Sequence, residues 1–149
     1  MTTTLIIQNP PHGGTGGSPF SSPHNKPIRA IRTWTGPKTD DHESVIKGLE
    51  VFWDEDEDDG GQAHFVTGTR RGEMNAIEFD HGEEIVEMSI WSDTRVDSIH
   101  IRTERGHTFD AGGGSGTCHV QENLGNGILY GFFGRSGEDV DALGTYFHE

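Results

Sequence analysis

Three carboxylates crowd one short turn in this 149-residue sequence. Glu138, Asp139 and Asp141 lie in GEDVD (137–141), between the apolar runs GFF and ALGTYF. An ionised carboxylate accepts hydrogen bonds on two oxygens, so such a turn can grip hydroxyl groups, hold a cation or simply face water. Arg135 is the one cation close by in sequence, so local pairing cannot neutralise all three acids. Two readings stand open: a solvated hairpin tip, or a turn whose carboxylates and backbone amides face a ligand.

Other residues invite chemistry and fit it less well. DEDEDD (54–59) has the charge of a calcium loop, but an EF-hand needs glutamate at position twelve. Starts at Asp54, Glu55 and Asp56 place Phe65, Val66 and Thr67 there, so a solvated charged loop is the reading, with weak divalent binding left open. The nine histidines form neither H-x-x-x-H on a helix nor a Cys/His cluster of zinc spacing. Cys118 and His119 are neighbours, and on a strand they point to opposite faces, which is wrong for a nucleophile and its base. GGTGGSPF and GGGSGTCH lack the Lys-Ser/Thr of a phosphate loop. The sequence therefore predicts no catalytic residues, no metal and no cofactor.

Composition narrows the class further. A net charge of −14 argues against nucleic acid and anionic membranes, both of which want basic patches. No apolar run is long enough to span a bilayer as a helix. The start MTTTLIIQNPP has no charged n-region and too short an apolar stretch for a signal peptide, which predicts a cytoplasmic protein or one released by another route. The single cysteine rules out an intrachain disulfide framework.

The elements that must position the acidic turn read as strands. KGLEVFW puts Leu49, Val51 and Trp53 on one face, IVEMSIW does so for Val86, Met88 and Ile90, and DSIHIRT for Ile99 and Ile101. NAIEFD repeats the alternation with Ile77 and Phe79, while ILYGFF (128–133) reads as a strand covered on both sides. No segment keeps a 3.6-residue period over three turns, and glycine, at 22 residues, punctuates nearly every window. This predicts an all-β domain of about ten to twelve short strands, closed or three-sided to hide its edges. Pro10 and Pro11 mark residues 1–11 as an N-terminal arm before a single domain over 12–149.

Glycine clusters and acidic turns alternate along that domain. GGTGG (13–17), DDGGQ (58–62) and AGGGSG (111–116) interleave with GPKTD (36–40), DTRVD (93–97) and GEDVD (137–141). Three rounds of glycine loop and acid turn suggest a threefold pseudo-symmetric β architecture.

These residues resemble the jacalin-related lectins. The resemblance covers about residues 12–147 and rests on GGTGGSPF, IRAIRTW, KGLEVFW and above all GFFGRSGEDVDALGTYF. It implies a β-prism I fold, three four-stranded sheets around a pseudo-threefold axis, and reversible glycan binding without catalysis. By the same resemblance a sugar sits between the first glycine loop and the last G-x-x-x-D turn. That places Gly17, Gly137, Glu138, Asp139, Val140 and Asp141 at the primary site. A second candidate site joins Gly61 with Gly36, Lys38 and Asp40. A third joins Asp97 with Gly114 or Gly116, with Asp93 standing where the pattern has glycine.

The chemistry suits that placement. Asp141 would accept two sugar hydroxyls, amides of residues 138–140 would donate, and Gly17 would let the backbone approach without a Cβ. Glu138 and Asp139 would then decorate the rim. Each hydrogen bond adds about 0.5–1.5 kcal/mol net, so one monosaccharide binds at roughly millimolar strength and useful affinity needs several sites or a homo-oligomer. Mannose or glucose is expected over galactose, because the turn carries acids where an aromatic platform would be needed. The alternative is a β-prism interaction module that has lost sugar binding.

Overall fold

The computed structural model describes residues 6–22, 26–37, 44–54 and 63–149. Among them are twelve strands and no helix. In chain order these are β1 (Ile6–Gly13), β2 (Ser18–Ser21), β3 (Ile28–Pro37), β4 (Ser44–Trp53), β5 (His64–Gly68) and β6 (Glu73–Glu78). The remainder are β7 (Ile85–Ser92), β8 (Val96–Thr103), β9 (Thr108–Gly112), β10 (Thr117–Val120), β11 (Leu129–Ser136) and β12 (Val140–His148).

They form three antiparallel four-stranded sheets, ordered β1-β12-β11-β2, β5-β4-β3-β6 and β10-β7-β8-β9. Each has a hairpin at its centre and one further strand on either side. This is the β-prism, and the threefold repeat follows from it. The inner faces of the hairpins meet in one core, to which Ile31, Leu49 and Val51, Met88, Ile90 and Ile101, and Phe132, Leu143 and Phe147 contribute. Burying side chains of this size contributes about 1.5–3 kcal/mol each, which lets a glycine-rich chain hold together without disulfides.

Most alternations read from the sequence hold: Leu49, Val51, Trp53, Met88, Ile90, Ile99, Ile101, Ile77 and Phe79 are all buried. Val86 is instead 44% exposed. The register shifts between Ile85 and Glu87, so Val86 is the extra residue of a β-bulge and Ile85 takes the inward place. The ILYGFF run is covered mainly on one side. Leu129 and Phe132 face the core, while Tyr130 and Phe133 are half-buried on the outer face. Residues 6–11, read as part of an arm, belong to β1, which pairs with β12 from Ile6↔His148 to Gly13↔Ala142. Pro10 and Pro11 sit at the register shift between Asn9 and His12 on this edge strand, where a missing N–H removes no regular ladder bond.

Candidate carbohydrate-binding site

One bulge recurs at the same end of each central hairpin. Pairing passes from Trp34↔Gly48 to Thr35↔Ile46, from Trp91↔Ser98 to Ser92↔Val96, and from Arg135↔Ala142 to Ser136↔Val140. The residue left over is Lys47, Asp97 or Asp141. Each turns its carbonyl to a glycine loop: Thr69 N–H donates to Lys47 O at 2.9 Å, Gly113 to Asp97 O at 2.9 Å and Gly14 to Asp141 O at 2.8 Å. The three loops are Gly68–Gly72, Gly112–Gly116 and Gly13–Gly17, each a G-x-x-x-G whose two terminal glycines have positive φ. The repeat thus places three loops beside three bulged residues, two of them acids and one a lysine.

The loops also interlock around the axis. Three residues before each bulged residue stand Ser44, Thr94 and Glu138. A Cβ on Gly113 would lie 2.7 Å from Ser44 O, one on Gly14 would overlap Thr94 O, and Thr69 Oγ1 donates to Glu138 O at 2.9 Å. Each glycine loop therefore rests on the central hairpin of another sheet.

The primary site assembles where β1 leads into β2 and β11 turns into β12. Gly17 has φ +67°, and a Cβ there would meet Ser136 O at 2.5 Å and Asp141 Oδ2 at 2.6 Å. Only glycine brings the loop this close to the carboxylate. Arg135 holds the loop rather than an acid, its Nε donating to Gly16 O at 3.0 Å and its Nη2 to Gly17 O at 2.9 Å. Gly137 N–H closes the turn on Asp139 O at 2.9 Å. Gly137 and Glu138 are exposed, and Val140 is wholly buried.

Asp139 is not on the rim. It is 2% exposed and accepts from Lys47 Nζ at 2.7 Å and Arg95 Nε at 3.1 Å. Arg95 Nε also lies 3.2 Å from Asp141 Oδ1. Cations missing from the neighbouring sequence thus come from the other two sheets. Burial pushes the Asp141 carboxyl above its ordinary value, with Asp139 adding to the rise, while Arg95 and Arg135 pull against it.

The third candidate repeats this geometry in part. Asp97 is 2% exposed, and a Cβ on Gly116 would overlap its Oδ2. Gly114 is not the contact, since nothing lies within 4 Å of a Cβ built there. Asp93 does the work of Gly137, its N–H donating to Arg95 O at 2.9 Å. For the second candidate, Lys38, Asp40 and Gly61 lie outside the described residues. Gly36 lies in β3, where a Cβ would sit 3.0 Å from Lys47 Cδ. Among the described residues the equivalent of Asp141 in that sheet is Lys47, and the equivalent loop is GTRRG (68–72). Two signals in the sequence point to these residues. One is the five-residue G-x-x-x-G spacing shared by GGTGG, GTRRG and GGGSG. The other is the match of Arg95-Val96-Asp97 to Asp139-Val140-Asp141, which pairs a cation with an acid.

A separate constellation stands at the opposite end of the prism. Asp80, Glu83 and His107 bring possible metal-ligating atoms within 4.8 Å of one another. Glu83 is already engaged there, by Asp80 N–H at 2.7 Å, Thr103 Oγ1 at 2.5 Å and His107 Nδ1 at 2.7 Å, so the group clasps two turns together.

Comparison with known proteins agrees with this architecture. Residues 10–146 match the family model of the Jacalin-like lectin domain. Horcolin of Hordeum vulgare subsp. vulgare is 31% identical, over 91% of this chain and 92% of that protein. A mannose-binding lectin from Champedak superposes with a TM-score of 0.75 at 25% identity, covering 97% of this chain and 96% of its own. Lamprey immune protein gives 0.76 at 26% identity over 99% of this chain, which spans only 45% of that longer protein. Together, the family match over most of the chain, the relative at 31% identity and the three-sheet prism show that this chain belongs to the jacalin-like lectin domain family.

Proposed function

We propose that this domain binds neutral hexoses of the mannose/glucose type where the Gly13–Gly17 loop meets the 137–141 turn. The observation that carries the reading is the approach of Gly17 to Asp141 Oδ2, which sets a carboxylate acceptor beside a loop that presents no side chain there. A hexose hydroxyl donating to that oxygen makes a charge-assisted hydrogen bond. The likeness to a mannose-binding lectin of the same fold supports the choice of sugar. The turn also offers Glu138 at its exposed edge, and with a net charge of −14 it disfavours sialylated and sulfated glycans at short range. Asp97 with Gly116, at the third candidate, makes a further place of the same kind, whereas at the second the equivalent residue, Lys47, offers no acceptor.

Asp141→Asn tests the assignment. An amide cannot accept on both sides, so affinity for methyl-mannoside should fall at least tenfold while the fold stays intact. Undiminished calorimetric binding in that variant would remove Asp141 from the site, whereas no binding by the wild-type domain would favour an interaction module without sugar binding. Competition by methyl-galactoside stronger than by methyl-mannoside would overturn the sugar class alone.

A further inference from the structure

We infer that Arg95, supplied by the β7–β8 turn of a different sheet, is a positioning residue for the Asp141 carboxylate and keeps it charged for sugar binding. The inference rests on the reading of Asp141 as the sugar acceptor.

The geometry that carries it is a shared donor. Arg95 Nε sits 3.1 Å from Asp139 Oδ2 and 3.2 Å from Asp141 Oδ1, bridging two carboxylates of one turn. Their side chains are 1% and 5% exposed, and that of Arg95 is 22% exposed. Two like charges so close and so buried cannot both stay ionised without a cation between them. Lys47 Nζ, 2.7 Å from Asp139 Oδ1, secures the far side of Asp139 and also donates to Pro37 O at 2.7 Å. Arg135 stands on the β11 side and is occupied with the carbonyls of Gly16 and Gly17. The glycine loop brings no charge of its own. Arg95 is therefore the cation in direct contact with Asp141 among the described residues.

The bridge also divides the carboxylate by role. Oδ1 is held by Arg95 and borders Gly16, while Oδ2 lies against Gly17 with no cation on it among the described residues. An acceptor with one oxygen anchored cannot rotate, so its other oxygen is aimed before a sugar arrives. Arg95 itself is anchored by donating from Nη1 to Thr94 O at 3.1 Å, and Thr94 O is the carbonyl against which Gly14 packs. One turn of the third sheet thus supports both the carboxylate and the glycine loop beside it. Burial and Asp139 drive Asp141 toward the protonated form and Arg95 opposes them, so loss of Arg95 should make sugar binding fail at a higher pH.

The test follows methyl-α-mannoside binding by calorimetry across pH, and the Asp141 carboxyl by ¹³C NMR, in the whole chain. In wild type both should decline together on acidification. In Arg95→Met the midpoint of both curves should move up by roughly one pH unit or more. Affinity should be weaker at neutral pH and partly recovered at higher pH. Arg95→Lys restores the charge but not the two-carboxylate fork, so its midpoint should return toward wild type while affinity stays several-fold weaker. Arg95→Lys also serves as the folded variant should methionine disrupt the core. A midpoint unchanged in Arg95→Met, or wild-type affinity in Arg95→Lys, would overturn the inference. Failure of the underlying reading looks different: Asp141→Asn would then bind as wild type does.

Discussion

Lys47 Nζ donates to Asp139 Oδ1 across 2.7 Å and 92 residues of sequence, joining the second sheet to the first where both are closed to solvent. In the threefold frame Lys47 holds the same place as Asp141, and Asp139 the same place as Arg95. The symmetry is broken in charge so that two hairpins supply cations to a third that supplies acids.

Lys47→Met should therefore cost about 3–5 kcal/mol, because it strips one partner from a buried charge. Urea denaturation measures it. A loss below about 1 kcal/mol would mean the pair behaves like a solvated surface bridge.

Gly17→Ala should remove methyl-mannoside binding at the Asp141 site and cost about 1–2 kcal/mol of stability. Its φ of +67° is left-handed, and the new Cβ would press on Asp141 Oδ2 and Ser136 O. Gly114→Ala is the matched control, with nothing within 4 Å of its Cβ, and should leave binding and thermal midpoint unchanged. Equal loss in both variants would mean that loop rigidity, not contact with Asp141, governs binding.

Glu83 makes the far end of the prism acid-sensitive. Burial raises its pKa, but the bonds from Thr103, the Asp80 amide and His107 together outweigh this and hold it below the ordinary 4.5. A depressed carboxyl stabilises the fold above its unfolded value, and that stability is lost as pH falls through the lower folded value. Glu83→Gln should thus lower the thermal midpoint at neutral pH and flatten its acid dependence below about pH 4.5. A parallel pair of curves for variant and wild type would refute this.

The rings of His12 and His119 stack at 3.9 Å, closing the seam between β1 and β10. Burial, and then the charge on His119, hold His12 below its ordinary 6.5. A histidine so shifted resists protonation in the folded state, so stability declines as pH falls through and below 6.5. Glu122 and Cys118 border the same cavity and are the other titratable groups facing it. His119→Asn should shrink the drop in thermal midpoint between about pH 8 and 5. An undiminished drop would place the acid-sensitive group elsewhere.

Strand identity was legible because apolar alternation is a local signal, as at Leu49, Val51 and Trp53. What escaped were the bulges. A single extra residue changes facing without changing composition, so Val86 read as core and Lys47 had no visible link to Asp141. The prolines misled for a related reason: Pro10 and Pro11 forbid a regular ladder but not an irregular edge. The acidic turn itself was legible in its residues, since Gly17 and Asp141 do meet. Its electrostatics were not, because the cations paired with Asp139 lie in other sheets and only the fold brings them near.

The pairing of β1 with β12 has a consequence for how the domain is made. The second sheet draws its strands from residues 28–78 and the third from 85–120, whereas the first needs 6–21 and 129–148. At a ribosome adding about 5–20 residues per second, β1 and β2 must wait for partners while the other two sheets pair. Through that interval their open edges are the segments most exposed to mispairing and to chaperones. The contact between Gly17 and Asp141 joins an early residue to a late one, so a stalled nascent chain would carry two nearly finished sheets and neither side of that contact in place.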